Sequence, residues 1–217
     1  MEFYDKLMTY LEKEDKESAV EYAINLLSEG KIDILTLYRD ILSPSLNNMF
    51  CNVDEKEVCV WREHVRSSIV RTIIECAYPF VIKEREKRGV KRRNESVIVV
   101  CPQEEYHEIG PRMVADFFTL LGFDTVFVGA NTPKEDFASA INVIKPKYVV
   151  ISVTNYYNIV NAERAIKRLK EKANYDLKII VGGHAFKSNK QVYKKIGADY
   201  LLDTFEEIEA FTEEEQK

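Results

Sequence analysis

The 217-residue chain lacks the sequence features of membrane and exported proteins. No run approaches about eighteen uninterrupted apolar residues, the length that a membrane-spanning helix needs. The N-terminus, MEFYDKLMTYLEKEDKE, shows no basic region followed by an apolar run and a small-residue cleavage site. With 46% hydrophobic residues, the chain can still bury a sizeable core. We therefore expect a globular, cytoplasmic protein without a membrane partner.

Sequence signatures of zinc, redox and nucleic-acid sites are also missing. The four cysteines form no CxxC pair, and we expect reduced, mostly buried thiols. The net charge is -5, and the one dense basic run, KEREKRGVKRR at 83–93, lies between two regions of different character. Phosphate contacts require cations clustered on one presented face, so we interpret the run as a solvated helix end and linker. No direct nucleic-acid binding is predicted.

Residues 1–90 show the apolar spacing of helices. The apolar positions of the first predicted helix are Phe3, Leu7, Tyr10 and Leu11. Gly30 is expected to end the second helix, Asp33 to cap the third, and Pro44 to bend or end it. Four helices joined by short turns predict an up-and-down bundle.

Residues 91–217 change to short β-branched runs separated by amphipathic segments of helix length. The runs are SVIVVC, DTVFVG, KYVVISV, LKIIVGG and ADYLLD, and they are apolar on both faces, as in buried parallel strands. Right-handed crossovers leave few topologies for such a sheet. We predict a five-stranded parallel, flavodoxin-like (Rossmann-like) α/β domain with strand order 2-1-3-4-5.

The residues with chemical potential fall at the carboxyl ends of three predicted strands, where a sheet of this order forms its crevice. These residues are Glu105, His107 and Gly110 after the first strand, Ser152, Thr154 and Asn155 after the third, and Gly182, Gly183 and His184 after the fourth. The third strand does not end in the aspartate of a phosphoryl-accepting receiver. The single glycine in CPQEEYHEIG argues against the phosphate cradle of a flavodoxin or dinucleotide site.

His107 is the strongest candidate for a metal ligand. A neutral imidazole binds metals well, and a carboxylate such as Glu105 at its other ring nitrogen would fix the tautomer and make the ligating nitrogen more basic. One histidine cannot hold a free metal ion tightly, so a metal at His107 would arrive in a macrocycle. The alternative is a hydrogen-bonded or exposed loop histidine.

The spacing of these residues resembles that of a known cofactor domain. The chain reads E-x-H-x-x-G from Glu105, then Ser152-x-Thr154, then Gly182-Gly183. This closely resembles the cobalamin-binding domain of methionine synthases, corrinoid mutases and corrinoid carrier proteins, whose pattern is D-x-H-x-x-G, S-x-L and G-G at these separations. The resemblance covers residues 95–205.

The resemblance implies a cobalamin cofactor with His107 as the lower cobalt ligand and Glu105 as its orienting partner. It also implies that Ser152 hydrogen-bonds the detached nucleotide tail, and that Gly182 and Gly183 leave room for that tail. Gly110 and Thr154 belong to the same motifs. Glu105 and Thr154 depart from the family's aspartate and leucine, so this chain has a longer carboxylate and an additional hydroxyl.

The helical half resembles the cap that covers the upper face of the corrinoid in methionine synthases, methyl-carrying corrinoid proteins and cobalamin-dependent light-sensing repressors. The repressors carry W-x9-E-H in the last cap helix. Here Glu63 and His64 match, but Val53 stands where the tryptophan would be, and the one tryptophan is Trp61. We expect Trp61, Glu63 and His64 to face the cofactor. The alternative is that Trp61 packs in the bundle core and His64 is a polar residue at its edge.

The resemblance implies two candidate functions. We favour the first, a free-standing cobalamin-dependent sensor that acts through a protein partner, because the Glu63-His64 pair resembles the sensory caps. The second is a corrinoid methyl-carrier protein that works with methyltransferases. Neither makes the chain a complete enzyme alone, since mutase activity requires a large substrate barrel. The sequence leaves a homodimer open.

Overall fold

The computed structural model describes residues 2–48 and 56–215, and the chain divides into two compact units, Met1–Arg88 and Gly89–Lys217. The first unit is helical, which confirms the predicted helical half. Its elements are α1 (Glu2–Glu12), α2 (Lys16–Ser28), a π-helical segment (Thr36–Leu42) that continues directly as α3 (Ser43–Asn47), and α4 (Lys56–Lys87).

Local side-chain contacts explain where these helices begin and end. Asp15 caps α2 by accepting a hydrogen bond from the Ser18 backbone N–H at 3.0 Å. Gly30 follows α2 with a φ of 67°, a conformation that glycine adopts without strain. Asp33 accepts a hydrogen bond from the Thr36 backbone N–H at 2.7 Å, as the sequence predicts. Pro44 does not end the helical stretch, because it lies in the first turn of α3, where no backbone N–H is needed.

The cysteines differ from the expectation of reduced, buried thiols. Cys59 is disulfide-bonded, so the expectation was wrong for this residue. Cys76 is free but exposed on α4, whereas Cys101 is both free and buried. Cys51 lies outside the described residues. Sequence spacing failed here because pairing depends on distances that only the fold sets.

The second unit is an α/β domain. Its elements are β1 (Ser96–Pro102), α5 (Ile109–Leu120), β2 (Asp124–Thr132), α6 (Lys134–Ile144), β3 (Tyr148–Ser152), α7 (Ile159–Lys172), β4 (Lys178–Gly182), α8 (Val192–Lys195), β5 (Tyr200–Leu201) and α9 (Phe205–Glu214). All strand pairs are parallel, and the order is β2-β1-β3-β4-β5. This confirms the predicted flavodoxin-like topology.

The sheet is buried on both faces by helices, as the apolar strands require. On one face, alternate residues of β1, β3 and β4 pack with α6 and α7; they include Ile98, Val100, Val149, Ile151 and Val181. On the other face, Tyr148 meets Phe211 of α9 edge to face, with ring centroids 5.3 Å apart. Each fully buried aliphatic side chain contributes about 1.5–3 kcal/mol, so these two layers fix the sheet as a rigid base for the loops at its ends.

The strand register brings the predicted site loops to one edge. Val100 of β1 pairs with Ile151 of β3, and Ser152 pairs with Gly182 of β4. The carboxyl ends of these three strands are therefore level.

Within residues 2–48 and 56–215, none of the helices combines the length and the apolar composition that crossing a bilayer demands.

Candidate functional site

The turn after β1 is held by side chains from neighbouring strands. Glu104 adopts a left-handed conformation with a φ of 69°. Its backbone N–H donates to Asn131 Oδ1 at 2.8 Å, and the Asn131 backbone N–H donates to the Glu105 carbonyl at 2.9 Å. Asn131, at the end of β2, thus fixes the two residues that precede Tyr106 and His107. A strained turn of this kind is maintained only where surrounding contacts determine it.

The Glu105 carboxylate is fully buried and accepts hydrogen bonds on both oxygens. Oε1 lies 2.5 Å from Nδ1 of His107 and also accepts the His107 backbone N–H at 3.1 Å. Oε2 accepts the backbone N–H groups of Thr154 at 3.0 Å and Asn155 at 2.9 Å. It also accepts the side-chain amide of Asn158 at 3.2 Å. One carboxylate therefore connects His107 with the loop after β3.

These contacts keep Glu105 ionised. Burial by itself raises the pKa of the carboxyl group, but hydrogen bonds from the His107 ring, from backbone N–H groups and from Asn158 outweigh it and lower the pKa to about 2. The carboxylate is charged at neutral pH. Its acceptor oxygen then assigns the neutral His107 proton to Nδ1, which places the lone pair on Nε2.

The His107 ring combines a fixed tautomer with access to the surface. Its side chain is 57% exposed, while its carboxylate partner has no exposed surface. The buried Cys101 thiol donates to the His107 backbone carbonyl, with 3.7 Å between sulfur and oxygen. A ring that is held by a buried anion at Nδ1 and keeps more than half of its side-chain surface accessible suits a single metal ligand.

Ser152 and Thr154 lie where the sequence predicts, at and just beyond the end of β3. Both side chains are half-buried, and the residue between them, Val153, is buried in the core cluster on the α6 and α7 face. Thr154 is joined to the His107 loop through its backbone N–H, which donates to Glu105.

The three predicted glycines differ in what requires them. A Cβ at Gly182 would lie 2.3 Å from the Leu202 carbonyl oxygen, and one at Gly183 would lie 2.5 Å from the Val153 carbonyl oxygen. Packing within the domain therefore requires both glycines. A Cβ at Gly110, in the first turn of α5, would meet no atom within 4 Å, so the space beside Gly110 is available to a ligand.

The predicted cap residues are exposed on α4. Trp61 is 63% exposed, and its Nε1–H donates to Glu14, in the turn after α1, at 3.4 Å. Trp61 therefore does not pack in the helical core, which was the alternative interpretation. Glu63 and His64 are exposed as well. Val53, the position at which the sensory caps carry tryptophan, lies outside the described residues.

Sequence analysis missed the asparagines that bond Glu104 and Glu105. Asn158 is buried and donates to both the Glu104 carbonyl at 3.1 Å and the Glu105 carboxylate. Asn161 donates to the Glu104 carboxylate at 3.1 Å. The available signal was three asparagines, Asn155, Asn158 and Asn161, that follow the third strand at the switch point of the sheet. Their spacing does not indicate that Asn158 bonds Glu105, which lies 53 residues earlier in the chain.

The donor set and the open space fit a metal that arrives within a cofactor. In the part of the chain that the structure describes, no group of three or more histidine, cysteine, aspartate or glutamate side chains lies close enough to hold a metal ion. His107 supplies one nitrogen with an anionic partner, as an axial ligand requires. Gly110 leaves space beside the same loop.

Comparison with known proteins also indicates a cofactor that contains a metal. The sequence profile of the B12 binding domain matches residues 95–211. The HTH-type transcriptional repressor CarH of Myxococcus xanthus is 26% identical over 166 residues, which are 75% of this chain and 52% of the repressor. The chain thus spans about half the length of that relative.

Two corrinoid proteins match over more of their length. Trimethylamine corrinoid protein 1 of Methanosarcina acetivorans is 26% identical over 187 residues, which are 85% of this chain and 83% of that protein. The monomethylamine corrinoid protein of Methanosarcina barkeri has the same fold, with a TM-score of 0.79, 20% identity and 98% of both chains covered.

Proposed function

Because this chain belongs to the B12 binding domain family and has cobalamin as its cofactor, we propose that it is a corrinoid protein that carries a methyl group between two methyltransferases. The supporting observation is the extent of its likeness to trimethylamine corrinoid protein 1, which reaches over 85% of this chain and so includes much of the helical unit. The partners in this proposal are a methyltransferase that loads the protein and one that unloads it.

His107 and Glu105 carry the proposed chemistry. When bound, cobalamin supplies a cobalt centre that can take up and release a one-carbon group. His107 would hold the cobalt through Nε2, while Glu105 holds the proton on Nδ1. The buried negative charge of Glu105 makes Nε2 a stronger donor than a free imidazole. Asn158 and the backbone N–H groups of Thr154 and Asn155 keep that charge in place.

The remaining predicted residues would bind the rest of the cofactor. Ser152 and Thr154 offer hydroxyl groups at the end of β3, and Gly110 leaves open space at the start of α5. We assign the nucleotide tail to the loops that also contain Gly182 and Gly183. On the helical unit, the exposed side chains of Trp61, Glu63 and His64 would contact the cofactor. The face of a corrin ring is a broad conjugated surface, and an exposed tryptophan suits such a surface.

Sensing is the second candidate function. It is favoured by the exposed Glu63-His64 pair and by the match to the CarH repressor over 75% of this chain. In that case a change of ligand or illumination at the cofactor would alter the assembly of the protein or its binding to a regulatory partner.

Loading and methylation test the proposal directly. The purified protein is mixed with hydroxocobalamin, separated from free cofactor and examined by absorption spectroscopy. His107→Ala should lose the spectral signature of imidazole ligation, whereas His184→Ala, an exposed histidine after β4, should retain it. If His107→Ala gives the wild-type spectrum, His107 is not the ligand.

A second experiment separates carriage from sensing. The loaded protein is reduced with titanium(III) citrate and treated with methyl iodide, and uptake of methyl groups per protein is measured. In parallel, the adenosylcobalamin-loaded protein is sized in the dark and after illumination. Carriage predicts stoichiometric methyl uptake and no change of size with light. A light-dependent change of assembly would favour sensing instead.

A further inference from the structure

Two neighbouring hydroxyl groups at the end of β3 share one face of the sheet. Ser152 and Thr154 are two residues apart in extended chain, so their side chains project to the same side. Val153, between them, projects to the opposite side, into the core cluster with α6 and α7. The extended pairing continues through Val153, whose backbone N–H donates to the Gly182 carbonyl at 3.0 Å. Ser152 and Thr154 therefore face the side of the sheet that α5 and α9 cover.

These hydroxyl groups differ from most threonine and serine hydroxyls of the domain in their bonding. Thr119 Oγ1 donates to the Ala115 carbonyl, and Ser139 Oγ donates to the Glu135 carbonyl. Among the described residues, no hydrogen bond is made by the hydroxyl oxygen of Ser152 or of Thr154. Both side chains are half-buried. They therefore offer a ligand donors and acceptors that are partly shielded from water.

Thr154 is also joined directly to the ligand network of His107. Its backbone N–H donates to Glu105 Oε2 at 3.0 Å, and Glu105 Oε1 lies 2.5 Å from His107 Nδ1. A single carboxylate thus separates the Thr154 backbone from the imidazole. If His107 takes the lower position on cobalt, the base that the cofactor itself carries is displaced but stays tethered nearby. The Thr154 hydroxyl belongs to a residue whose backbone is part of the same network.

A partly buried hydroxyl at this position discriminates between ligands, because it needs a hydrogen-bond partner. A ligand that places methyl groups against the hydroxyl would displace its water without replacing the hydrogen bond, which is unfavourable. A ligand that presents an amine or hydroxyl group would replace the lost water. Sites built to hydrogen-bond a polar group discriminate more strongly than apolar ones.

We propose that Thr154, with Ser152, selects corrinoids whose displaced lower base carries hydrogen-bonding groups over corrinoids with a methyl-substituted base. The inference rests on the proposed function, since it requires His107 to displace that base. It adds a preference among cofactors that His107 ligation does not by itself specify.

The experiment compares three corrinoids with one set of variants. Equilibrium binding is measured for cobalamin, with its dimethylbenzimidazole base, for a cobamide with an adenine base, and for cobinamide, which has no base. The proteins are the wild type, Thr154→Val, which keeps the shape without the hydroxyl, and Thr154→Ser, which keeps the hydroxyl. None of these changes removes the Thr154 backbone N–H that Glu105 accepts.

The expected result is a change in selectivity with no change in cobinamide binding. The preference of the wild type for the adenine-based cobamide over cobalamin should fall by about tenfold in Thr154→Val, the value of about one hydrogen bond. Thr154→Ser should keep the preference, and all three proteins should bind cobinamide equally.

Two outcomes would overturn the inference. Equal selectivity in the wild type and Thr154→Val would show that the hydroxyl does not read the base. An equal loss of cobinamide binding in Thr154→Val would show that the hydroxyl contacts the corrin ring or its amides instead. Failure of the wild type to bind any of the three corrinoids would contradict the proposed function itself, so the two failures are distinguishable.

Discussion

The fully buried carboxylate of Glu105 lies 2.5 Å from Nδ1 of His107, whose side chain is 57% exposed. The related domains that this chain resembles have an aspartate at the position of Glu105. The longer side chain does not loosen the contact, because its second oxygen is held by the backbone of Thr154 and Asn155 and by Asn158. The carboxylate therefore connects the loop after β1 to the loop after β3.

The ionisation of Glu105 predicts an acid-dependent loss of stability. Its pKa in the folded protein is about 2, below the ordinary value of 4.5. Such a group stabilises the fold fully above the ordinary value, and the contribution is lost as pH falls from about 4.5 towards 2. At neutral pH the contribution is about 3 kcal/mol, because folding lowers the pKa of Glu105 from 4.5 to about 2. Urea unfolding of the apoprotein at about pH 7 and at about pH 3 measures the part that is lost between these pH values, about 2 kcal/mol.

Glu105→Gln should be less stable than the wild type at neutral pH and should lose this part of the pH dependence. Glu163→Gln, a change at an exposed position of α7, serves as the control and should keep the pH dependence of the wild type. A Glu105→Gln protein with the same decrease in stability on acidification would show that other groups are responsible.

Asn158 is predicted to position His107 through Glu105. Asn158→Asp keeps the size of the side chain but replaces an amide donor, 3.2 Å from Glu105, with a carboxyl group. Two adjacent carboxylates raise the pKa of at least one of them, so Glu105 would hold the His107 ring less strongly. In the cobalamin-loaded protein, the spectral signature of imidazole ligation should then disappear at a higher pH than in the wild type.

The matched control for Asn158 is Asn161→Ala, since Asn161 bonds the neighbouring Glu104 carboxylate and not Glu105. It should leave the pH of the spectral transition unchanged. Asn158→Ala should lower the free energy of unfolding by about 1–3 kcal/mol, the cost of leaving a buried partner unsatisfied. An unchanged spectral transition in Asn158→Asp would exclude the positioning role.

The glycines give a prediction that separates folding from cofactor binding. Gly182→Ala should destabilise the apoprotein by about 1–3 kcal/mol or more, because the Leu202 carbonyl oxygen would lie 2.3 Å from the new methyl group. Gly110→Ala should be neutral or slightly stabilising, because its Cβ meets no protein atom and alanine favours helix.

Cobalamin affinity, unlike stability, should be sensitive to Gly110→Ala. Gly110→Ala fills space that the cofactor would occupy, so we expect weaker cobalamin binding by a protein of normal stability. Titration of the apoprotein with hydroxocobalamin, together with urea unfolding, measures both properties. Wild-type affinity in Gly110→Ala would place the cofactor away from the start of α5.

The sequence predicts the sheet and the His107 loop well because both depend on local pattern. Apolar runs of strand length separated by helical segments left few topologies, and the observed order is the predicted one. The E-x-H spacing indicated that Glu105 and His107 would be partners, and they are in contact.

Contacts between distant residues could not be predicted in this way. The bond from Asn158 to Glu105 joins residues 53 positions apart, and no periodicity encodes it. The disulfide of Cys59 depends on the distance between two side chains in space, which sequence spacing does not give. Gly182 and Gly183 were predicted from the space that a ligand needs, while the structure shows that neighbouring backbone also requires them.

The exposed face of α4 gives a further prediction. Trp61→Ala and His64→Ala should leave the stability of the apoprotein within about 0.5 kcal/mol of the wild type, as for most exposed positions. If these side chains contact the cofactor, both changes should weaken cobalamin binding or alter its visible spectrum. Glu86→Ala, at an exposed position near the other end of α4, is the control. Unaltered binding and spectra in both variants would remove Trp61 and His64 from the site.

The coordination of cobalt by His107 can be measured without any partner protein. The protein is produced with ¹⁵N-labelled histidine, loaded with cobalamin and reduced to the paramagnetic Co(II) state, and its electron paramagnetic resonance spectrum is compared with that of the unlabelled protein. If His107 Nε2 is the lower ligand, labelling should change the nitrogen splitting from a triplet to a doublet, and His107→Ala should abolish this change. A triplet that labelling does not alter would show that the cofactor keeps its own base on cobalt and that His107 does not bind it.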